Sequence, residues 1–141
     1  MPEPCEICRK LDAPSSMAVV HEFKHSLLIV GEHQLFPGYC VLLSKEHARE
    51  PFELSPENQS ALLQELMSSA KVIHKAFAPW KMNYGCYGNQ VAHVHWHLFP
   101  RYESDPQRKL TPWMQADEFD RHRTTEEQAS EVVRRIRGHL A

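Results

Sequence analysis

The chain has no apolar run approaching the ~20 residues that a membrane-spanning helix needs. Charge of one sign is also missing: 16 Lys and Arg against 18 Asp and Glu leave a net charge of −2 with histidines neutral. That balance lacks the basic footprint of a duplex nucleic-acid binder, so no membrane and no nucleic acid are expected as partners. Glycine is scarce, five residues in all. The Gly-rich, many-stranded repeat of a jelly roll, and with it a cupin-like metal oxygenase, is disfavoured. Met1-Pro2-Glu3-Pro4-Cys5-Glu6 lacks the basic-then-apolar pattern of a secretory signal, so a reducing, cytoplasmic compartment is expected. Apolar residues at 42% and charged residues at 24% are near globular averages, and 141 residues make one domain with a core of its own.

What the chain does have is ten histidines and four cysteines. Cys5 and Cys8 form Cys-x-x-Cys. A thioredoxin-like pair wants the mouth of a βαβ unit, and only four residues precede this one. The other chemical reading is half of a zinc site, in which two thiolates bite one tetrahedral ion. Two ordinary cysteines are the third. Cys40 and Cys86 stand alone in apolar contexts and read as small buried hydrophobes.

Met17–Glu22 and Ser26–Val30 are apolar stretches parted by Lys24-His25, the pattern of a hairpin. Gly31–Pro37 reads as a loop and Gly38–Leu43 as a buried strand leaving a Pro-Gly turn. Ser55-Pro56-Glu57 opens a helix, with Ser as N-cap and Pro in the first turn. Leu62, Leu66, Ala70 and Ile73 follow at helical spacing, and the helix should stop before Pro79. Strands are expected over Lys81–Tyr87 and Val91–Phe99, parted by a Gly88-Asn89 turn, and a loop over Pro100–Asp120. Thr125-Glu126-Glu127-Gln128 matches a capping box opening a helix to about His139. The order implies an α+β fold with a mainly antiparallel sheet, one long central helix and a C-terminal helix.

Residues 93–97 read His-Val-His-Trp-His. In a strand, side chains alternate, so His93, His95 and His97 share one face and Ala92, Val94, Trp96 and Leu98 the core face. A solvated face would more easily use Lys, Glu or Thr. Three imidazoles in a straight row fit one ion poorly. A division of labour fits better: one imidazole completes a zinc site, the next is a nucleophile, and the last contacts phosphate oxygens.

Gly88-Asn89-Gln90-Val91-Ala92-His93-Val94-His95-Trp96-His97-Leu98-Phe99-Pro100-Arg101 resembles the histidine triad (HIT) signature. Pro37-Gly38-Tyr39-Cys40-Val41-Leu42-Leu43-Ser44-Lys45-Glu46-His47 is similar to a second element of that family, and Cys5-x-x-Cys8 to its zinc-binding branch. The resemblance implies a single HIT domain over residues 1–141, with the helix at about 125–139 as an appendage. It implies a homodimer and a nucleotide substrate attacked at the α-phosphorus. His95 matches the nucleophile and His97 the phosphate-contacting histidine. Asn83 and Gln90, with His97, match nucleotide-binding positions. Cys5, Cys8, His47 and His93 match the ligands of a structural zinc ion. The loop Asp105–Trp113 looks like that of bacterial diadenosine tetraphosphate hydrolases. Phosphoramidates present the same α-phosphorus, and a nucleotide-binding module without turnover is the further alternative. The chain departs from the pattern at Tyr39, where His is usual, at Ser44, where Pro is usual, and at Gly31, where a ribose-binding Asp or Asn is usual. On this reading, attack needs a neutral His95, and His97 serves as a protonated donor.

Overall fold

The computed structural model describes residues 4–140. Helix α1 (Glu6–Asp12) comes first, followed by strands β1 (Val19–Glu22), β2 (Ser26–Val30) and β3 (Cys40–Ser44). The long helix α2 (Pro56–Phe77) leads into β4 (Lys81–Gly85) and β5 (His95–Arg101), and α3 (Glu126–Arg137) closes the chain. The five strands form one antiparallel sheet in the order β1-β2-β3-β5-β4. The architecture is the α+β fold with the mainly antiparallel sheet that the sequence implied.

Helix α2 begins as its sequence dictates. The Ser55 hydroxyl accepts from the Asn58 N–H at 3.3 Å, and Pro56 fills the first turn. It ends at Ala78 in a left-handed conformation, one residue before Pro79. Its stripe of Leu62, Leu66, Ala70 and Ile73 packs on Leu28, Leu42 and Leu98 of the sheet. The Thr125–Gln128 capping box opens α3. That helix, expected as an appendage, buries Val132 and Ile136 in the same core. Arg137 near its end donates to the carbonyls of Val19 and Val20 on edge strand β1.

The opposite sheet face carries a second cluster: Ile7, Phe36, Tyr39, Val41, Leu43 and Phe99. Cys40, expected to be buried, is fully so, while Cys86 is half-buried.

Three elements differ from expectation. Helix α1 carries only Ile7 and Leu11 as its apolar spacing, too short a pattern to announce a helix. The expected loop at 100–120 contains 3₁₀ turns over Pro112–His122, kinked at Gln115. The last strand begins at His95 and not at Val91. The His93 N–H bonds to the carbonyl of Val91, so a tight turn interrupts the extended chain there.

Candidate functional site

His95 pairs across the sheet with Leu43, and His97 with Val41, so both project from the second face. There they line a cavity of about 670 Å³. Ile7, Ile29, Val41 and Leu43 give it an apolar floor over β2 and β3. Gly31 and Glu32 form a rim, residues 87–91 flank the histidines, and Trp113 closes the far side. Trp113 stands edge-on to His97, ring centroids 5.1 Å apart, and edge-on to Tyr87 at 5.5 Å. Tyr87 is 56% exposed and Trp113 39%, a large apolar area to leave in water.

The turn at 91–93 removes His93 from the row. Only His95 and His97 of the three expected neighbours line the cavity. His93 is buried and its Nδ1 lies 3.3 Å from Cys5 Sγ, 3.5 Å from Cys8 Sγ and 3.0 Å from His47 Nδ1. Cys8 Sγ is 3.4 Å from His47 Nδ1. A tetrahedral zinc with sulfur and nitrogen ligands sets its donors roughly 3.3–3.8 Å apart. The four side chains, all within 4.8 Å of one another, thus fit a structural zinc ion. His93 Nε2 sits 2.7 Å from the Ser44 carbonyl, which can only accept. The proton is therefore on Nε2, and Nδ1 keeps the lone pair a metal needs.

The same logic fixes His95. Its Nδ1 lies 2.6 Å from the His93 carbonyl, so Nδ1 carries the proton and the Nε2 lone pair is free. His97 Nδ1 lies 2.6 Å from the hydroxyl of buried Tyr39. Burial, with His95 and His33 adding, pushes the His97 pKa down to about 4. His97 is thus neutral near pH 7, where the sequence suggested a protonated donor. Burial likewise keeps the Tyr39 hydroxyl protonated.

Gln90 lines the cavity. Asn83 does not: its Oδ1 accepts from Arg101 Nη1 at 3.0 Å. The fully buried Arg101 also donates to the carbonyls of Gln107 and Leu110 and to Asp105, which pins the 105–110 loop. Lys45 pairs with Glu22 outside the cavity. The sequence singled out neither Tyr87 nor any role for Tyr39 and Trp113. Tyr39 was visible as the residue after Pro37-Gly38, and Trp113 as an aromatic in a Pro-containing loop.

An antiparallel sheet that presents two histidines to a cavity, one of them bonded to the carbonyl of a histidine in a Cys and His cluster, defines a class of protein. The HIT domain model matches residues 13–104, and the chain belongs to the HIT family. It is 26% identical over 105 residues to Protein hit of Bacillus subtilis, covering 71% of this chain and 72% of the relative. The fold resembles a Hit-like protein involved in cell-cycle regulation from Bartonella henselae, with TM-score 0.78 and 17% identity over 99% and 98% of the two chains. It also resembles a Zn-bound histidine triad family protein from Mycobacterium smegmatis, with TM-score 0.67 and 18% identity over 96% and 91%.

Proposed function

We propose that the chain is a dinucleoside polyphosphate hydrolase acting through a nucleotidyl-histidine. The observation that carries this reading is the pair of complementary imidazoles in one cavity. The free Nε2 lone pair of His95 is the nucleophile, and His97 donates to a non-bridging phosphate oxygen. Attack forms an N–P bond, and the bond from the α-phosphorus to the bridging oxygen breaks. The leaving nucleoside polyphosphate departs with the electron pair as an anion. Water then attacks phosphorus, the N–P bond breaks, and the proton of water passes to solvent. His95 returns neutral.

Two features favour this leaving group over the amine of a phosphoramidate. A polyphosphate leaves without a proton, whereas an amine needs one, and His97 is held neutral. Tyr87 and Trp113 stand on the β4 side of His97, opposite the apolar floor on β2 and β3. The floor suits one nucleobase and the aromatic pair a second. Gln90 and Glu32 are available to the sugar and phosphates at the rim. Asn83 acts only through Arg101 on this reading.

Cys5, Cys8, His47 and His93 would hold the zinc. Four protein ligands leave no open position, so the ion supplies structure and no Lewis acidity. The proposed partner is a second copy of the chain, meeting through the exposed Leu63 and Met67 of α2 and Tyr84 of edge strand β4. The cytoplasm is the proposed compartment.

The test is turnover of a dinucleoside tetraphosphate against a nucleoside phosphoramidate. Faster cleavage of the former to a mononucleotide is expected. His95→Ala should lower kcat by about 10³-fold or more while nucleotide affinity survives. Wild-type rates in that variant would remove His95 from the chemistry.

A further inference from the structure

We propose that Tyr39 is a positioning residue that donates its hydroxyl proton to His97 Nδ1 and so fixes the Nε2–H tautomer that faces the cavity. The inference rests on the proposed role of His97 as a phosphate donor. Its structural part stands independently.

The 2.6 Å contact by itself allows either direction, because a tyrosine hydroxyl both donates and accepts. The surroundings choose. Tyr39 is only 4% exposed, and among the described residues His97 Nδ1 is the one acceptor within reach of its hydroxyl. Were His97 to donate instead, the tyrosine proton would have no partner among the described residues. His97 Nε2 would then meet the phosphate with a bare lone pair. With Tyr39 as donor, every group is satisfied and the N–H points where negative charge gathers.

The chain is built around this ring. Gly38, at φ 93°, makes the turn that delivers Tyr39. The ring stacks on Phe99 at 4.3 Å and 10°. A Cβ on Gly31 would lie 2.2 Å from Tyr39 Cδ2, so any side chain at position 31 would collide with it. Gly31 and Tyr39 are therefore one feature. The two departures from the usual HIT pattern, a lost side chain at 31 and an enlarged one at 39, occupy the same space.

The test uses the zinc-loaded protein at neutral pH. Two-bond ¹H–¹⁵N correlations of the imidazoles, with His97 assigned through His97→Gln, report the tautomer directly. Wild type should show His97 protonated at Nε2 and bare at Nδ1, and Tyr39→Phe should show a mixture. In kinetics, Tyr39→Phe should lower kcat about 10-fold or more and leave KM within about 3-fold. Tyr39→His, whose ring N–H can also donate, should recover most of the loss. A wild-type Nδ1–H tautomer overturns the proposal, as does a Tyr39→Phe protein with unchanged tautomer and kcat. If no nucleotide is turned over by wild type, the hydrolase reading falls, and the tautomer result alone decides the role of Tyr39.

Discussion

Arg101 carries a full charge at a position with no solvent exposure. It is tolerated there because Asn83, Asp105 and two loop carbonyls receive its N–H groups, and because the guanidinium lies over the Phe36 ring at 4.8 Å. Arg101→Ala should cost about 3 kcal/mol by urea unfolding, since it strands those acceptors. Arg101→Lys should recover little, because an ammonium cannot span the fork. His33 and His97 contribute to the pH dependence. Burial lowers both to about 4 from an ordinary 6.5, and neighbouring histidines add to it. Both are neutral in the fold, so their contribution is fully present above about pH 6.5. It is lost as the pH falls from 6.5 towards 4, where the unfolded chain takes up protons that the fold refuses. Thermal midpoints across pH 4–8 should therefore drop on the acid side. His33→Phe, which keeps an aromatic ring between Tyr39 and Phe119, should flatten part of that drop.

Among the elements, α1 depends on its surroundings more than on its own sequence. Seven residues cannot hold a helix in water. Its N-cap is the Cys5 thiol, which accepts from the Cys8 N–H at 3.3 Å, and both cysteines, one at the cap and one in the first turn, belong to the metal cluster. Ile7, between those cysteines, is buried and forms part of the cavity wall. Cys8→Ser or a strong chelator should thus lower the melting temperature, and should also weaken nucleotide binding about 10-fold as Ile7 leaves the wall. Calorimetry and equilibrium binding on the same samples check both, and unchanged affinity in metal-free folded protein would separate α1 from the site. This dependence is why α1 was not legible in the sequence: neither periodicity nor a standard cap announces it. Helices α2 and α3 were legible because Ser55-Pro56 and the Thr125–Gln128 box are local devices. The site was legible to the same degree. His95 and His97 follow from strand alternation alone. The separation of His93 from them depends on a turn at 91–93 that brings its ring to Cys5, Cys8 and His47, partners up to 88 residues away in sequence.

At the scale of the whole molecule, the two faces of the sheet do different work. One is filled by α2 and α3. The other carries the cavity, and Ile7, which lines it, lies in sequence between two members of the metal cluster. His93 joins the two sites, its ring in the cluster and its carbonyl on His95. The sheet also has two edges of different character. On β1, Arg137 occupies the carbonyls of Val19 and Val20, whereas β4 offers its outer side together with Tyr84. Sedimentation at micromolar concentration should give about twice the chain mass, and Tyr84→Glu should shift it towards the monomer; a single-chain mass in wild type would refute the pairing. Arg137 then acquires a second meaning. An assembly joined by one self-complementary edge is finished at two copies, because neither copy has another edge to offer. Arg137→Ala would turn each molecule from a chain terminator into a bifunctional monomer, and the expected product is a distribution of linear oligomers that lengthen with concentration.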